Sequence, residues 1–445
     1  YASTVLTEEE IVATEEEEFE PRYSPDGTEV AYLAERTVLK VKDLESGRVR
    51  TVMPGTYAYS YADGDQWFEW SPDGEWLAVQ FLSRGRYYGD AVGLVKADGS
   101  QDPIDVSNSG YGNWVPHFGM DGGLVLWVTD RFGEKNHGSW GGEGDVIGAF
   151  LNQETYDRFS LTKEERALAE GRKSPGEKDD DDEAGEEESE AKDEEEDEDT
   201  PIEIDWAGIE DRTMRMTIHS SDLGDFALTP DGRALVYLAR FEKGYDLWIH
   251  DFVEESTKLE VKLDAGRASM VMLPDGKAIF VLADGRIQKI GLKSGDEATS
   301  AGEKETVAFS PEMNVRPDAE RAYLFDHVWR QTKQKFYDPE LHGVDWQFYR
   351  EQYEPKLAGI THNRDFAELL SELLGELNAS HTGGRWFGGP ENEETTASLG
   401  VLYDTAYDGD GMRIAEILPR TPLAAAELGV EAGSVITHVD GVELT

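Results

Sequence analysis

Two periodicities divide the chain. Through roughly the first three hundred residues apolar positions alternate with polar ones after turn-like tetrads, and beyond Pro317 they recur at every third or fourth position. The tetrads read Ser24-Pro25-Asp26-Gly27, Ser71-Pro72-Asp73-Gly74, the looser Met120-Asp121-Gly122, Thr229-Pro230-Asp231-Gly232 and Leu273-Pro274-Asp275-Gly276. Proline fixes φ, aspartate can bond its own backbone and glycine accepts positive φ, so each tetrad predicts a turn. Val30 and Tyr32, Trp76 and Ala78, and Leu235 and Tyr237 outline the strands that follow. A second hairpin is legible in Val38 to Val41, a turn at Glu45-Ser46-Gly47, then Arg48 to Val52.

The turn glycines stand 47, 48, 110 and 44 residues apart. Three of these intervals fit the roughly 40 to 50 residues of a four-stranded propeller blade, which predicts a β-propeller. Five turns are fewer than a six- or seven-bladed ring needs, so either some blades are degenerate or the chain begins inside a longer propeller. In the long interval only one blade's worth of strands is readable: Leu124–Thr129, Asp145–Leu151 and Arg212–Thr217. The surplus reads as an insert between the third and fourth strands, with a helix from Thr162 to Gly171 and otherwise without structure over about residues 153–200.

After Pro317 the spacing predicts helices. Asp318 reads as an N-cap, with Tyr323, Phe325, Val328, Trp329 and Phe336 on one face of the first helix. Trp346, Tyr349 and Tyr353 outline a second, and Phe366, Leu369, Leu370, Leu373, Leu374 and Leu377 a third. The third runs into Asn378-Ala379-Ser380-His381-Thr382-Gly383-Gly384. At that place His381 has two readings: a cation that suits a helix C-terminus, or a general base whose exposed ring reaches a nucleophile elsewhere. Spacing alone leaves both open.

Composition narrows the function. The 445 residues carry 42 − 93 = −51 formal charges and no cysteine. Glu177 to Asp199 holds 17 acids and two lysines, a net of −15, so the other 422 residues still carry −36. A block of like charge self-repels and stays solvated; a loose divalent-cation trap is its functional alternative. So acidic a chain is not expected to bind nucleic acid or an anionic membrane surface. No apolar run is long enough to span a bilayer. Disulfides, thiolate metal sites and a cysteine nucleophile are excluded. The remaining histidines, His117, His137, His219, His250, His327, His342, His362 and His438, show no metal-ligand spacing, so neither metal nor cofactor is expected. The diffuse charge, with 24 Arg against 18 Lys, suits a surface working in high salt. The chain opens at Tyr1 without a secretory leader and reads as a processed or excised piece, periplasmic or cytoplasmic.

The repeat resembles the TolB-like propellers, whose blades carry the same turn. Phe336-Tyr337-Asp338-Pro339, Gly343-Val344-Asp345-Trp346 and Leu377-Asn378-Ala379-Ser380-His381 resemble the core segment of the tricorn family, serine peptidases related to the C-terminal-processing proteases. The resemblance implies that His381 is the catalytic base and Ser380 its support, that a propeller guides unfolded peptide substrates, and that the protein can form homo-oligomers. It also implies that the nucleophilic serine and its acidic partner lie beyond Thr445, so that this chain alone is inactive.

Farther on, Ser398-Leu399-Gly400-Val401, a strand near Met412–Leu418, a helix from Thr421 to Leu428 and Gly433-Ser434-Val435-Ile436 resemble a PDZ domain. Such a domain adds a peptide chain end as a strand and cages its carboxylate with loop amides, here those of Leu399, Gly400 and Val401. A PDZ domain that merely packs between its neighbours is the other reading. The expected organisation is therefore a multidomain chain: a propeller over 1–317, a helical segment with the Ser-His pair over 318–390, and an incomplete PDZ domain over 396–445. A noncatalytic propeller-PDZ protein that binds peptides or a partner is the competing function.

Overall fold

The computed structural model describes residues 10–60, 62, 64–83, 90–137, 141–169, 201–294, 298–309, 314–388, 398–425 and 429–444. The chain divides into two compact units, 1–310 and 311–445.

Among the described residues the first unit contains five four-stranded antiparallel sheets. Blade 1 comprises Glu18–Tyr23, Glu29–Ala34, Val38–Asp43 and Val49–Met53, and blade 2 Phe68–Trp70, Trp76–Phe81, Ala91–Lys96 and Ile104–Asp105. Blade 3 comprises Asn113–Gly119, Leu124–Thr129, Asp145–Phe150 and Thr213–Arg215. Asp222–Leu228, Ala234–Arg240, Tyr245–Asp251 and Ser256–Ala265 form blade 4, and Ala268–Met272, Ala278–Ala283, Arg286–Lys293 and Ser300–Val307 form blade 5.

Each predicted turn joins the first two strands of one blade. In blade 1 the Gly27 N–H donates to the Ser24 carbonyl at 2.9 Å, while Asp26 Oδ1 accepts from the Ser24 hydroxyl at 2.6 Å and from the Thr28 N–H at 3.0 Å. The Ser24 hydroxyl in turn accepts the Glu29 N–H at 2.9 Å, which starts the next strand. Thr229 and Asp231 repeat these contacts in blade 4. Gly27, Gly74, Gly122, Gly232 and Gly276 all have φ between 65° and 85°, the left-handed region that a Cβ disfavours.

Both faces of the second strands of blades 2 to 4 are buried, because each of these blades packs on a neighbour on either side. In blade 2, Leu77 and Val79 join a core with Ala31, Leu33, Leu39 and Val41 of blade 1, while Trp76 and Ala78 join one with Val125, Trp127 and Ile147 of blade 3. Leu124, Leu126 and Val128 pack against Leu235 and Tyr237 of blade 4, whose Val236 and Leu238 pack against Ile279 and Val281 of blade 5. The period of two therefore separates two neighbouring cores rather than core from solvent.

The insert lies where the sequence puts it, between the third and fourth strands of blade 3. Its expected lack of structure from about residue 153 is corrected at the start, where α1 (Gln153–Phe159) forms, while α2 (Lys163–Ala169) falls within the expected helix from Thr162 to Gly171. Asn152 caps α1 by accepting the Thr155 N–H at 2.8 Å, and Phe159 is buried between Phe150 and Phe252. Thr162 and Glu165 exchange backbone and side-chain bonds in a capping box that opens α2. On the return, Ile202 N–H donates to Asp73 of the blade 2 turn at 2.8 Å. The acidic run Glu177 to Asp199 lies outside the described residues.

In the second unit, α3 (Pro317–Lys335), α4 (Trp346–Tyr353) and α5 (Asn363–Gly375) enclose a core of Phe325, Leu341, Trp346, Tyr353, Phe366, Leu369, Leu373 and Leu377. Asp318 is not the cap of α3: proline takes the first helical position, Arg316 precedes it, and Asp318 sits in the first turn paired with Arg321. Tyr323 is also off the buried face; it is 58% exposed and stacks on His327. Trp329 and Trp346 exchange indole N–H bonds with each other's carbonyls at 3.0 Å, locking α3 to α4. Farther along, Val401–Tyr403, Met412–Ile417 and Val435–Ile436 form a three-stranded antiparallel sheet, with the short α6 (Pro422–Ala425) between the last two.

Candidate functional site

The site grows out of the end of α5. His362 caps this helix, its Nδ1 accepting the Arg364 N–H at 3.0 Å, and the stripe Phe366, Leu369, Leu373 carries on past the last turn to the fully buried Leu377. Glu376, just beyond the helix, accepts the Tyr353 hydroxyl at 2.8 Å. Burial first, and then this carboxylate, push the Tyr353 phenol up to about 12.

From Leu377 the chain turns outward. Asn378 and His381 both have positive φ, 48° and 62°, a conformation that non-glycine residues adopt rarely and that Asn and His tolerate best. Ser380 and His381 are both exposed, and neither side chain has a hydrogen-bond partner among the described residues. The Thr382 hydroxyl closes the turn by donating to the Ala379 carbonyl at 3.0 Å.

The far end of the turn is fixed by α5 itself. Ser371 Oγ donates to the Gly384 carbonyl at 2.9 Å and accepts the Gly384 N–H at 2.8 Å. A Cβ on Gly384 would lie 2.9 Å from the Ala367 carbonyl oxygen, so glycine is what lets the strap lie this close to the helix. Beyond it Trp386 meets the His362 ring edge to face at 4.9 Å. The pair thus projects from a short exposed turn anchored by buried Leu377 on one side and by Ser371 on the other.

This geometry bears on the two readings of His381. A helix dipole acts within the last turn, and His381 stands six residues beyond Gly375. A different histidine meets the chain just past the helix end: His342, whose Nδ1 lies 3.1 Å from the Leu377 carbonyl. Sequence reasoning set His342 aside because it looked only for metal-ligand spacing. The signal available was its place between Asp338-Pro339 and Gly343-Val344-Asp345-Trp346.

Of the three residues expected to cage a peptide carboxylate, Leu399 is 42% exposed and Gly400 is buried with φ of 69°. Val401 starts a strand that stands at the edge of its sheet among the described residues. The Gly400 carbonyl accepts the Leu418 N–H at 2.9 Å, and its N–H donates to Ser398 Oγ at 3.1 Å. Exposed Leu402 and Tyr403 continue the edge. Only α6 of the predicted helix from Thr421 to Leu428 is described, since residues 426–428 lie outside the described residues.

Other histidines are engaged elsewhere. His117 pairs with Glu69, and His250 bonds Thr257 Oγ1 at 2.7 Å while burial pulls its pKa down. Among the described residues no three histidine, aspartate or glutamate side chains are grouped to hold a metal ion.

The tricorn protease C1 domain family matches residues 317–375, from the start of α3 to the end of α5. Two tricorn protease homologs of Streptomyces coelicolor are 31% identical over 181 residues and 29% identical over 180, each match covering 38% of this chain. Those matches cover 15% and 16% of the relatives. A crystal structure of the tricorn protease aligns with a TM-score of 0.56 at 14% identity, over 96% of this chain and 40% of its own. The matches thus take in less than half the length of each of these relatives. A β-propeller leading into a segment that matches the tricorn C1 domain makes this chain similar to the tricorn proteases in fold and, over its helical segment, in sequence.

Proposed function

We propose that the chain is part of a serine endopeptidase of the tricorn kind, in which His381 is the general base and Ser380 belongs to the polar network that supports it. The observation that carries this reading is the exposed Ser380-His381 pair, held on a turn anchored at both ends directly after the C1 helices. An exposed imidazole with neither nitrogen engaged is free to meet a serine hydroxyl from another part of the protein.

The imidazole takes the proton of that hydroxyl as its oxygen attacks the peptide carbonyl carbon, and returns it to the leaving amine as the acyl-enzyme forms. Water then repeats the sequence and releases the acid. A neighbouring hydroxyl on the second ring nitrogen fixes the tautomer, which is the role given to Ser380. In this reading the nucleophile is a serine elsewhere in the full-length protein, without which the present chain is inactive.

In the same reading Leu399, Gly400 and Val401 begin a PDZ-like module. The edge strand Val401–Tyr403 supports it, because an extended peptide can pair with such an edge. The propeller guides unfolded peptides toward the site. A serine-directed fluorophosphonate probe on the full-length protein tests the proposal: the probe should label it, and His381→Ala should abolish labelling. Labelling that survives unchanged in the variant removes His381 from the role of base.

A further inference from the structure

The segment between α3 and α4 is built with more care than a connection needs. Asp338 accepts the N–H groups of Glu340 and His342 through its two carboxylate oxygens, both at 3.0 Å. Leu341, His342 and Gly343 follow one another at φ of 51°, 58° and 76°. Two non-glycine residues in succession in the left-handed region are uncommon. The conformation buries Leu341 in the helical core and turns the His342 ring back toward the end of α5.

Both ring nitrogens of His342 are used. Nδ1 faces the Leu377 carbonyl at 3.1 Å and Nε2 faces the Tyr337 hydroxyl. A carbonyl oxygen only accepts, so Nδ1 carries the proton, and the hydroxyl donates to the lone pair of Nε2. Phe336 and Tyr337 meet the ring edge to face at 5.0 and 5.3 Å. Leu377 is the last fully buried residue before Asn378 swings the chain out to Ser380 and His381.

We infer that His342, with its tautomer fixed by Tyr337, is a positioning residue that holds the Leu377 carbonyl and thereby sets the direction in which the Ser380-His381 turn leaves the helix. The inference rests on the reading of that pair as catalytic. It gives the Phe336-Tyr337-Asp338-Pro339 and Gly343-Val344-Asp345-Trp346 motifs a shared physical task, since the first supplies Tyr337 and Asp338 and the second supplies the glycine after the ring. His342 touches no reacting atom in this scheme and acts through the backbone.

Three variants test it. His342→Ala removes the donor to Leu377, His342→Asn restores an amide N–H about where Nδ1 lies, and Tyr337→Phe leaves the tautomer unfixed. Hydrogen exchange of the chain should show the bonded amides of this turn, those of Asn378 and Gly384, exchanging about tenfold faster in His342→Ala, the worth of one net hydrogen bond. The amides of α5 should be unchanged, and His342→Asn should return toward the wild-type rate. Unchanged exchange at the Asn378 and Gly384 amides, or equal acceleration throughout α5, overturns the inference.

On the full-length protein, His342→Ala should slow fluorophosphonate labelling about tenfold and lower kcat more than it raises KM, with recovery in His342→Asn and a smaller loss in Tyr337→Phe. Labelling at the wild-type rate in His381→Ala overturns the catalytic reading itself. Loss of labelling in His381→Ala together with a wild-type rate in His342→Ala overturns the positioning role alone.

Discussion

Glu69 of blade 2 and His117 of blade 3 face each other between the first strands of their blades, with Oε2 2.5 Å from Nδ1. The other carboxylate oxygen of Glu69 accepts the Phe118 N–H at 3.0 Å. Blades 4 and 5 repeat the device, Asp225 accepting the Met270 N–H at 2.8 Å, and burial pushes the Asp225 carboxyl up. Glu69→Ala therefore removes a partner from a main-chain donor as well as from a histidine. It should cost about 1 to 2 kcal/mol, read as a lower urea midpoint at unchanged slope. An unchanged midpoint would show that the pair is dispensable to the junction.

Asp90, just before the third strand of blade 2, is pushed up to about 6 by burial, against one hydrogen bond from Gln80 at 2.6 Å that favours the charged form. Folded Asp90 thus holds a proton that the unfolded chain releases nearer 3.8. Its contribution to stability is present below the lower value, falls as pH rises between the two and stays level above. Asp90→Asn should be stabilising at pH 7 by up to about 2 kcal/mol relative to its effect near pH 4, measured by urea unfolding at both. Equal effects at the two pH values would contradict the shift.

Gly400 has φ of 69°, and a Cβ there would lie 2.2 Å from the Thr421 Cβ. Gly400→Ala combines backbone strain with a clash that Thr421 cannot relieve while its hydroxyl bonds the Leu418 carbonyl at 2.7 Å. A loss of more than about 2 kcal/mol is expected. Limited proteolysis should show the segment from Ser398 onward opening first, and peptides with a free C-terminus should lose any affinity measured by fluorescence anisotropy. A variant as resistant as the wild type would mean that the backbone there readily adopts another path.

Net charge makes a salt prediction. At −51 the folded chain repels itself, and salt screens that repulsion. The thermal midpoint of the complete protein should rise from low to molar potassium chloride. A flat or falling midpoint removes high-salt adaptation as the reason for the acidic surface.

The repeat was the most legible part of the sequence. Ser24, Asp26 and Gly27 form a turn by purely local hydrogen bonds, so the motif declares itself wherever it occurs, and the four strands around it follow from spacing. The insert in blade 3 could be located for the same reason. The first helix of that insert was not, because Gln153–Phe159 is stabilised by Phe159 entering the space between Phe150 and Phe252, a contact between distant residues. Spacing puts Tyr323 on the apolar face of α3, but aromatic character does not say which side of the helix the core occupies, and the structure exposes it. The expectation for Ser380 and His381 rests on resemblance, whereas the bond from His342 to Leu377 joins residues 35 apart and has no local pattern to betray it.

The paired cores of the propeller have a further consequence. Leu77 belongs with blade 1 and Trp76 with blade 3, so no interior sheet owns a core of its own. What is completed during folding is the seam between two sheets, and each seam needs the later sheet before the earlier one is dry on that side. A fragment cut cleanly after a fourth strand still ends in half a seam and presents its apolar face to water. Cuts that preserve solubility should instead be sought in pairs of sheets, with the exposed outer face rewritten as polar.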